Sequence, residues 1–209
     1  FNSIGRQPAD CRDCLLTMGY GLMDIYLIRH TKTDTEKGLC FGQSNVALSH
    51  NFADDALQLQ KKMPELKSDC LVFSSPLTRC LQLAEKLSDK VSTDARLLEL
   101  DFGDWENRYF NDVDNIALKQ WSDNFVEVRP PNGESFSDLY RRAGGFWREL
   151  LALESEQVVV VTHAGVIRAL LAHVLNLPLA NTFQFRIDLG SVHKLQHIDH
   201  CTFINCLNR

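Results

Sequence analysis

A chain of 209 residues and 23.8 kDa, 44% of it hydrophobic, can bury one sizeable core and is short for two. A net charge of -5 and a pI near 5.8 argue against a broad basic face for nucleic acid, yet leave room for a local pocket that takes a small anion. No run approaches the eighteen apolar residues of a membrane span, and seven scattered cysteines, an odd number, suit a reducing, cytoplasmic setting better than a disulfide framework.

Residues 1–22 show neither helical nor strand period and hold Gly5, Pro8, Gly19 and Gly21, so they read as a leader or non-native extension ahead of a domain spanning 23–209. The apolar run 15–23 behind Arg6 and Arg12 has the outline of a signal peptide, but Thr17 and two glycines break it. Cys11 and Cys14 have C-x-x-C spacing with no second pair to complete a zinc site.

Ile25-Tyr26-Leu27-Ile28 then gives an unbroken apolar run, the pattern of a strand buried on both faces, and Arg29-His30 ends it abruptly. Such a pair suits the crevice at the carboxyl end of a strand in an open α/β sheet. A polar, glycine-punctuated loop over 31–49 follows, with Ser49 as the expected N-cap of a helix over 50–63. Cys70-Leu71-Val72-Phe73 predicts a second strand. Ser75 and Pro76 read as N-cap and first residue of a helix to about Ser88, with Leu77, Leu81, Ala84 and Leu87 as its core stripe and Arg79 one turn in. A short strand is expected near Val91–Thr93, and Glu99 interrupts the apolar run Leu97-Leu98-Glu99-Leu100, where it either points to solvent or sits in a pocket.

The acidic, aromatic stretch 107–130 reads as a helical excursion over the site. Ser135 is an N-cap for the cleanest helical period in the chain, Phe136, Leu139, Tyr140, Ala143, Phe146, Trp147, Leu150 and Leu151. Val158 to Val161 form the least ambiguous strand, ended by Thr162-His163, with an apolar helix over 166–177 behind it. Strands are expected around 182–187, Val192–Ile198 and 202–206. Alternating strands and helices mean an α/β sandwich.

Strand ends therefore deliver Arg29, His30, Arg79, Glu99 and His163 to one rim. Two arginines and two histidines suit a phosphoryl group, whose three charged oxygens match arginine forks. A neutral imidazole can attack phosphorus, nearby arginines keep it unprotonated, and a carboxylic acid can protonate the leaving oxygen.

With these motifs in order, the chain resembles the histidine phosphatase superfamily, in the branch named after the phosphoglycerate mutases. Arg29-His30-Thr31 stands for that family's Arg-His-Gly signature. The likeness continues through Ser74-Ser75-Pro76-Leu77-x-Arg79, Leu98-Glu99, Phe102-Gly103-x-Trp105-Glu106, Gly133-Glu134-Ser135 and Thr162-His163-Ala164-Gly165. Thr31 in place of the usual glycine is the departure. Within the superfamily, the 37–49 loop and the run Leu100-Asp-Phe-Gly-Asp-Trp-Glu106 are similar to alpha-ribazole phosphatases of cobalamin nucleotide-loop synthesis.

The resemblance implies a three-layer α/β/α sandwich with a mostly parallel central sheet. It implies that His30 becomes a phosphohistidine, that Arg29, Arg79 and His163 hold the phosphoryl oxygens, and that Glu99 serves as general acid and then as base. No metal or cofactor is implied, and the partner is a small phosphomonoester, with no nucleic acid or membrane, for a monomer or homodimer. Thr33, Gln43, Asn45 and Trp105 are candidate substrate contacts. The alternatives are a broad-specificity phosphatase or phosphoglycerate mutase on the same scaffold, and a non-catalytic phosphoprotein-binding module, which would have no need of nucleophile and acid together.

Overall fold

The computed structural model describes residues 21–209; the leader read from the sequence, all but its last two residues, and the Cys11 and Cys14 pair lie outside them. Six strands form one sheet in the order β3-β2-β4-β1-β5-β6. β1 (Leu22–Arg29), β2 (Leu71–Ser74), β3 (Val91–Thr93) and β4 (Gln157–Thr162) are mutually parallel, while β5 (Val192–Ile198) runs antiparallel to β1 and pairs with β6 (Cys201–Cys206) as an antiparallel edge.

The apolar runs of β1 and β4 are unbroken because both faces are covered. Ile25, Leu27, Val158 and Val160 pack against α4 (Phe136–Leu150) and α5 (Ala164–Leu175), and Tyr26, Ile28, Val159 and Val161 pack against α1 (Phe52–Gln60) and α2 (Thr78–Glu85). The three-layer α/β/α sandwich implied above is the observed one. Ser135 caps α4 as its spacing predicts, in a capping box: the Asp138 amide donates to Ser135 Oγ at 3.2 Å, and the Ser135 amide donates to Asp138 Oδ2 at 2.9 Å. α3 (Asn115–Asp123) sits in the expected excursion, preceded by 3-10 turns over Gly103–Trp105 and Phe110–Asp112. No helix among the described residues is long and apolar enough to cross a membrane.

Several local expectations are corrected. α1 starts at Phe52 with Asn51, not Ser49, as N-cap. α2 starts at Thr78 after an extended Leu77, so Ser75 and Pro76 lie outside it, and its buried face is Arg79, Cys80, Leu83 and Ala84 rather than the Leu81 and Leu87 stripe. α5 begins at Ala164, directly after His163, and ends at Leu175, where the C-cap Asn176, with a left-handed φ of 49°, closes the helix before Pro178. Residues 182–187 are not a strand. A 3-10 helix spans Leu179–Gln184, held by Thr182 Oγ1 donating to the Leu179 carbonyl at 2.7 Å.

Candidate active site

Parallel strands put their carboxyl ends on one rim, and three of those ends carry the site. The His30 amide donates to the Thr162 carbonyl at 3.1 Å and the Ser75 amide to the Val161 carbonyl at 2.9 Å, so His30, Ser75 and His163 leave the sheet side by side. Glu99 reaches the same rim differently. It follows a 3-10 turn, Ala95–Leu97, that Asp94 caps, and not a strand end as the sequence suggested. Its Oε1 accepts from the Leu100 amide at 3.0 Å and its Oε2 from the Gly165 amide at 3.2 Å, in the first turn of α5, where the helix dipole favours a carboxylate. A Cβ at Gly165 would push Glu99 Oε1 out of its present position.

Arg29, His30, Arg79 and Glu99 line a cavity of about 180 Å³ whose remaining walls are Leu39, Cys40, Phe41, Gly42, Phe102 and Phe110. His30 Nδ1–H donates to the Thr31 carbonyl at 2.7 Å, which leaves the Nε2 lone pair free to attack. Burial first, then Arg79 and Arg29, push the His30 pKa down to about 3, against a weaker upward pull from the Thr31 carbonyl. The imidazole is thus neutral at any ordinary working pH. Thr31 does this with its carbonyl alone, and its φ is not among the positive ones, so threonine replaces the family's glycine without backbone strain.

His163 is wholly buried, with its ring edge-on to that of His30 at 5.2 Å between centroids. Arg79 Nε donates to His163 Nδ1 at 3.3 Å, so the neutral ring carries its hydrogen on Nε2 and donates to Ser75 Oγ at 2.8 Å. Burial, His30 and Arg79 hold the His163 pKa well below its usual value. Arg29 Nη1 donates to the Ile187 carbonyl at 2.6 Å, while its Nε is a buried donor without a protein partner. An oxyanion in the cavity would satisfy such a donor.

The four candidate substrate contacts are dispersed. Gln43 Nε2 donates to the Glu99 carbonyl at 3.0 Å, and Asn45 Oδ1 accepts from the Thr78 amide at 3.0 Å, capping α2 from the loop. Thr33 bonds Thr35 at 2.9 Å and does not line the cavity. Trp105 is 4% exposed and packs edge-on against Trp121 at 5.8 Å, beneath the site rather than in it. Phe41, Phe102 and Phe110 form the aromatic wall instead. Phe41 lies in the 31–49 loop, Phe110 in the excursion and Phe102 just ahead of it, segments the sequence places near the site without saying which rings face inward.

The buried histidines set a pH dependence of stability. His30 and His193, with folded pKa values near 3 and 4 against an unfolded 6.5, bind fewer protons folded than unfolded. Their stabilisation is complete above pH 6.5 and is lost as pH falls toward the folded values, at up to about 1.4 kcal/mol per histidine per pH unit. The melting temperature is expected to drop steadily from pH 7 to pH 5, and a flat profile would contradict neutral burial of these rings.

The profile of the histidine phosphatase superfamily (branch 1) matches residues 25–209. An adenosylcobalamin/alpha-ribazole phosphatase of Escherichia coli (strain K12) is 31% identical over 177 residues, covering 80% of this chain and 87% of that protein. A glucosyl-3-phosphoglycerate phosphatase of Mycolicibacterium vanbaalenii is 31% identical over 173 residues, covering 75% and 76%. Among solved structures, the alpha-ribazole phosphatase from Shigella flexneri aligns with a TM-score of 0.83 at 28% identity, over 90% of this chain and 96% of that one.

Proposed function

Since the chain belongs to the histidine phosphatase superfamily (branch 1), we propose that it hydrolyses phosphomonoesters through a phosphohistidine formed on His30. The observation that carries this reading is the cavity floor: a neutral imidazole with a free Nε2, flanked by the guanidinium groups of Arg29 and Arg79 and sharing the cavity with the Glu99 carboxyl. Nε2 attacks phosphorus, the two arginines take the growing charge on the phosphoryl oxygens, and Glu99 in its protonated form delivers a proton to the leaving oxygen. The resulting carboxylate then takes a proton from water as it attacks the phosphohistidine, and His30 is released. His163 orients His30 from behind and can offer its Nε2–H to a phosphoryl oxygen in exchange for Ser75 Oγ.

We further assign alpha-ribazole 5'-phosphate as the substrate. The similarity to alpha-ribazole phosphatases supports this, as do the walls: Leu39, Cys40, Phe41, Phe102 and Phe110 offer an apolar, aromatic surface to the leaving group. Arg29 and Arg79 are the lining cations, and both face the phosphoryl position. Of the cations in the excursion, Arg108 bonds the Asp112 carbonyl at 2.9 Å, Lys119 pairs with Asp123 at 2.8 Å and Arg129 with Asp138 at 2.7 Å, and none of the three lines the cavity. A second anionic group, as in a phosphoglycerate, finds no counter-charge there. The similarity to glucosyl-3-phosphoglycerate phosphatases supports the rival reading.

The test compares kcat/KM for alpha-ribazole 5'-phosphate, 3-phosphoglycerate and a plain sugar phosphate. The riboside phosphate is expected to lead. Equal or better use of phosphoglycerate would reject the substrate assignment, and a flat profile would indicate a broad-specificity phosphatase.

A further inference from the structure

Arg79 is 1% exposed, yet the groups that orient it are neutral: Nη2 donates to the Gly42 carbonyl at 2.6 Å, Nη1 to the Ser44 carbonyl at 2.9 Å and Nε to His163. Carbonyl dipoles can fix the plane of a guanidinium without neutralising it. A carboxylate in the same place would compete with the phosphoryl group for the fork. The orientation of Arg79 is then only as good as that of the 42–44 turn.

One side chain takes most of the turn's donors, while Asn107 Nδ2 donates to Ser44 Oγ at 3.0 Å. Glu106 Oε1 accepts from the Gln43 amide at 2.6 Å and the Phe102 amide at 3.2 Å, and Oε2 accepts from the Ser44 amide at 2.6 Å and from the Ser44 hydroxyl. Four donors converge on one carboxylate. Gly42 fits only as glycine, since a Cβ would meet the Leu100 carbonyl, the Phe102 ring and Glu106 Oε1. We propose that Glu106 is a positioning residue for the phosphoryl site: it clamps the 42–44 turn so that the Gly42 and Ser44 carbonyls aim Arg79 into the cavity. This rests on the phosphatase reading above, with Arg79 as a phosphoryl ligand.

The clamp places the negative charge one step behind the arginine. Gln43 adds a second tie, from its Nε2 to the Glu99 carbonyl, so the same turn also braces the segment that carries the candidate acid. An amide at position 106 keeps one acceptor oxygen but turns an NH2 group toward a backbone N–H, which lets the turn drift.

A double-mutant cycle with p-nitrophenyl phosphate tests this. Glu106→Gln is expected to lower kcat/KM about tenfold or more, as misaligned ligands do, and to change it less than about twofold when Arg79 is already alanine. Equal losses in both backgrounds would overturn the proposal, since a merely structural residue costs the same with or without Arg79. Should Glu106→Gln fail to fold, Glu106→Asp, which keeps the charge with a shorter reach, is read in the same cycle and is expected to show a smaller loss that again vanishes without Arg79. The dissociation constant for inorganic phosphate, which needs no turnover, is expected to rise in Glu106→Gln. Phosphate binding without turnover in the unaltered protein would refute the phosphatase reading alone, whereas an unchanged phosphate affinity in Glu106→Gln would refute the clamp alone.

Discussion

Replacing His30 with alanine is expected to remove at least about 10³-fold of kcat while leaving the protein folded. The loss follows from the lone pair on Nε2, for which the cavity holds no substitute: the Cys40 thiol that also lines it is pushed by burial up to about 12 and stays protonated. The fold survives because the side chain makes a single hydrogen bond, to the carbonyl of the next residue, and sits between two guanidinium groups that disfavour its protonation. Removing it takes from the core one edge-on ring contact, with His163, and no hydrogen-bond partner. Turnover by the variant within tenfold of the parent would sink the covalent route, and an unchanged melting temperature would show that the loss is chemical.

Glu99→Gln is expected to cost roughly 100- to 10,000-fold in kcat for an alkyl phosphomonoester, the usual range for a positioned proton donor. Glutamine can still accept the Leu100 or Gly165 amide, so the local geometry is largely kept. The effect depends on the leaving group. p-Nitrophenolate needs no proton, so with p-nitrophenyl phosphate the first step is spared and only hydrolysis of the phosphoenzyme is slowed. A loss of equal size on both substrates, with no burst of p-nitrophenol, would contradict the assignment of Glu99 as acid and base.

How far the chain could be read ahead of its structure depends on whether a residue's role is set by its own neighbours. β1 and β4 were legible because strands covered on both faces must be apolar throughout, and α4 was legible because Ser135 and the stripe from Phe136 to Leu150 agree. The cavity-lining Arg29 and His30 were legible because they end β1, and Arg79 because it follows β2 at the start of α2. Residues 182–187 misled because alternation alone suggests a strand. The carbonyls a ladder would have used are taken instead by arginines, Phe185 by Arg168 Nε at 3.3 Å and Ile187 by Arg29 Nη1. Ser75 and Pro76 misled for a related reason: Ser75 Oγ serves His163, and the first amide of α2 is capped by Asn45, 33 positions away in sequence. Trp105 and the three phenylalanines differ in which way the irregular backbone around them turns their rings, and the Glu106 clamp joins residues 62 and 63 positions apart. Long-range hydrogen bonds of that kind leave no periodic trace in a sequence.

The central claim is a phosphoryl group carried on His30, and rapid-quench labelling of Glu99→Gln with p-nitrophenyl phosphate tests it most directly. The account predicts a burst of p-nitrophenol approaching one equivalent per chain, with the phosphate recovered on His30 as an acid-labile, alkali-stable adduct. No burst, or a phosphate located on any other side chain, would contradict it.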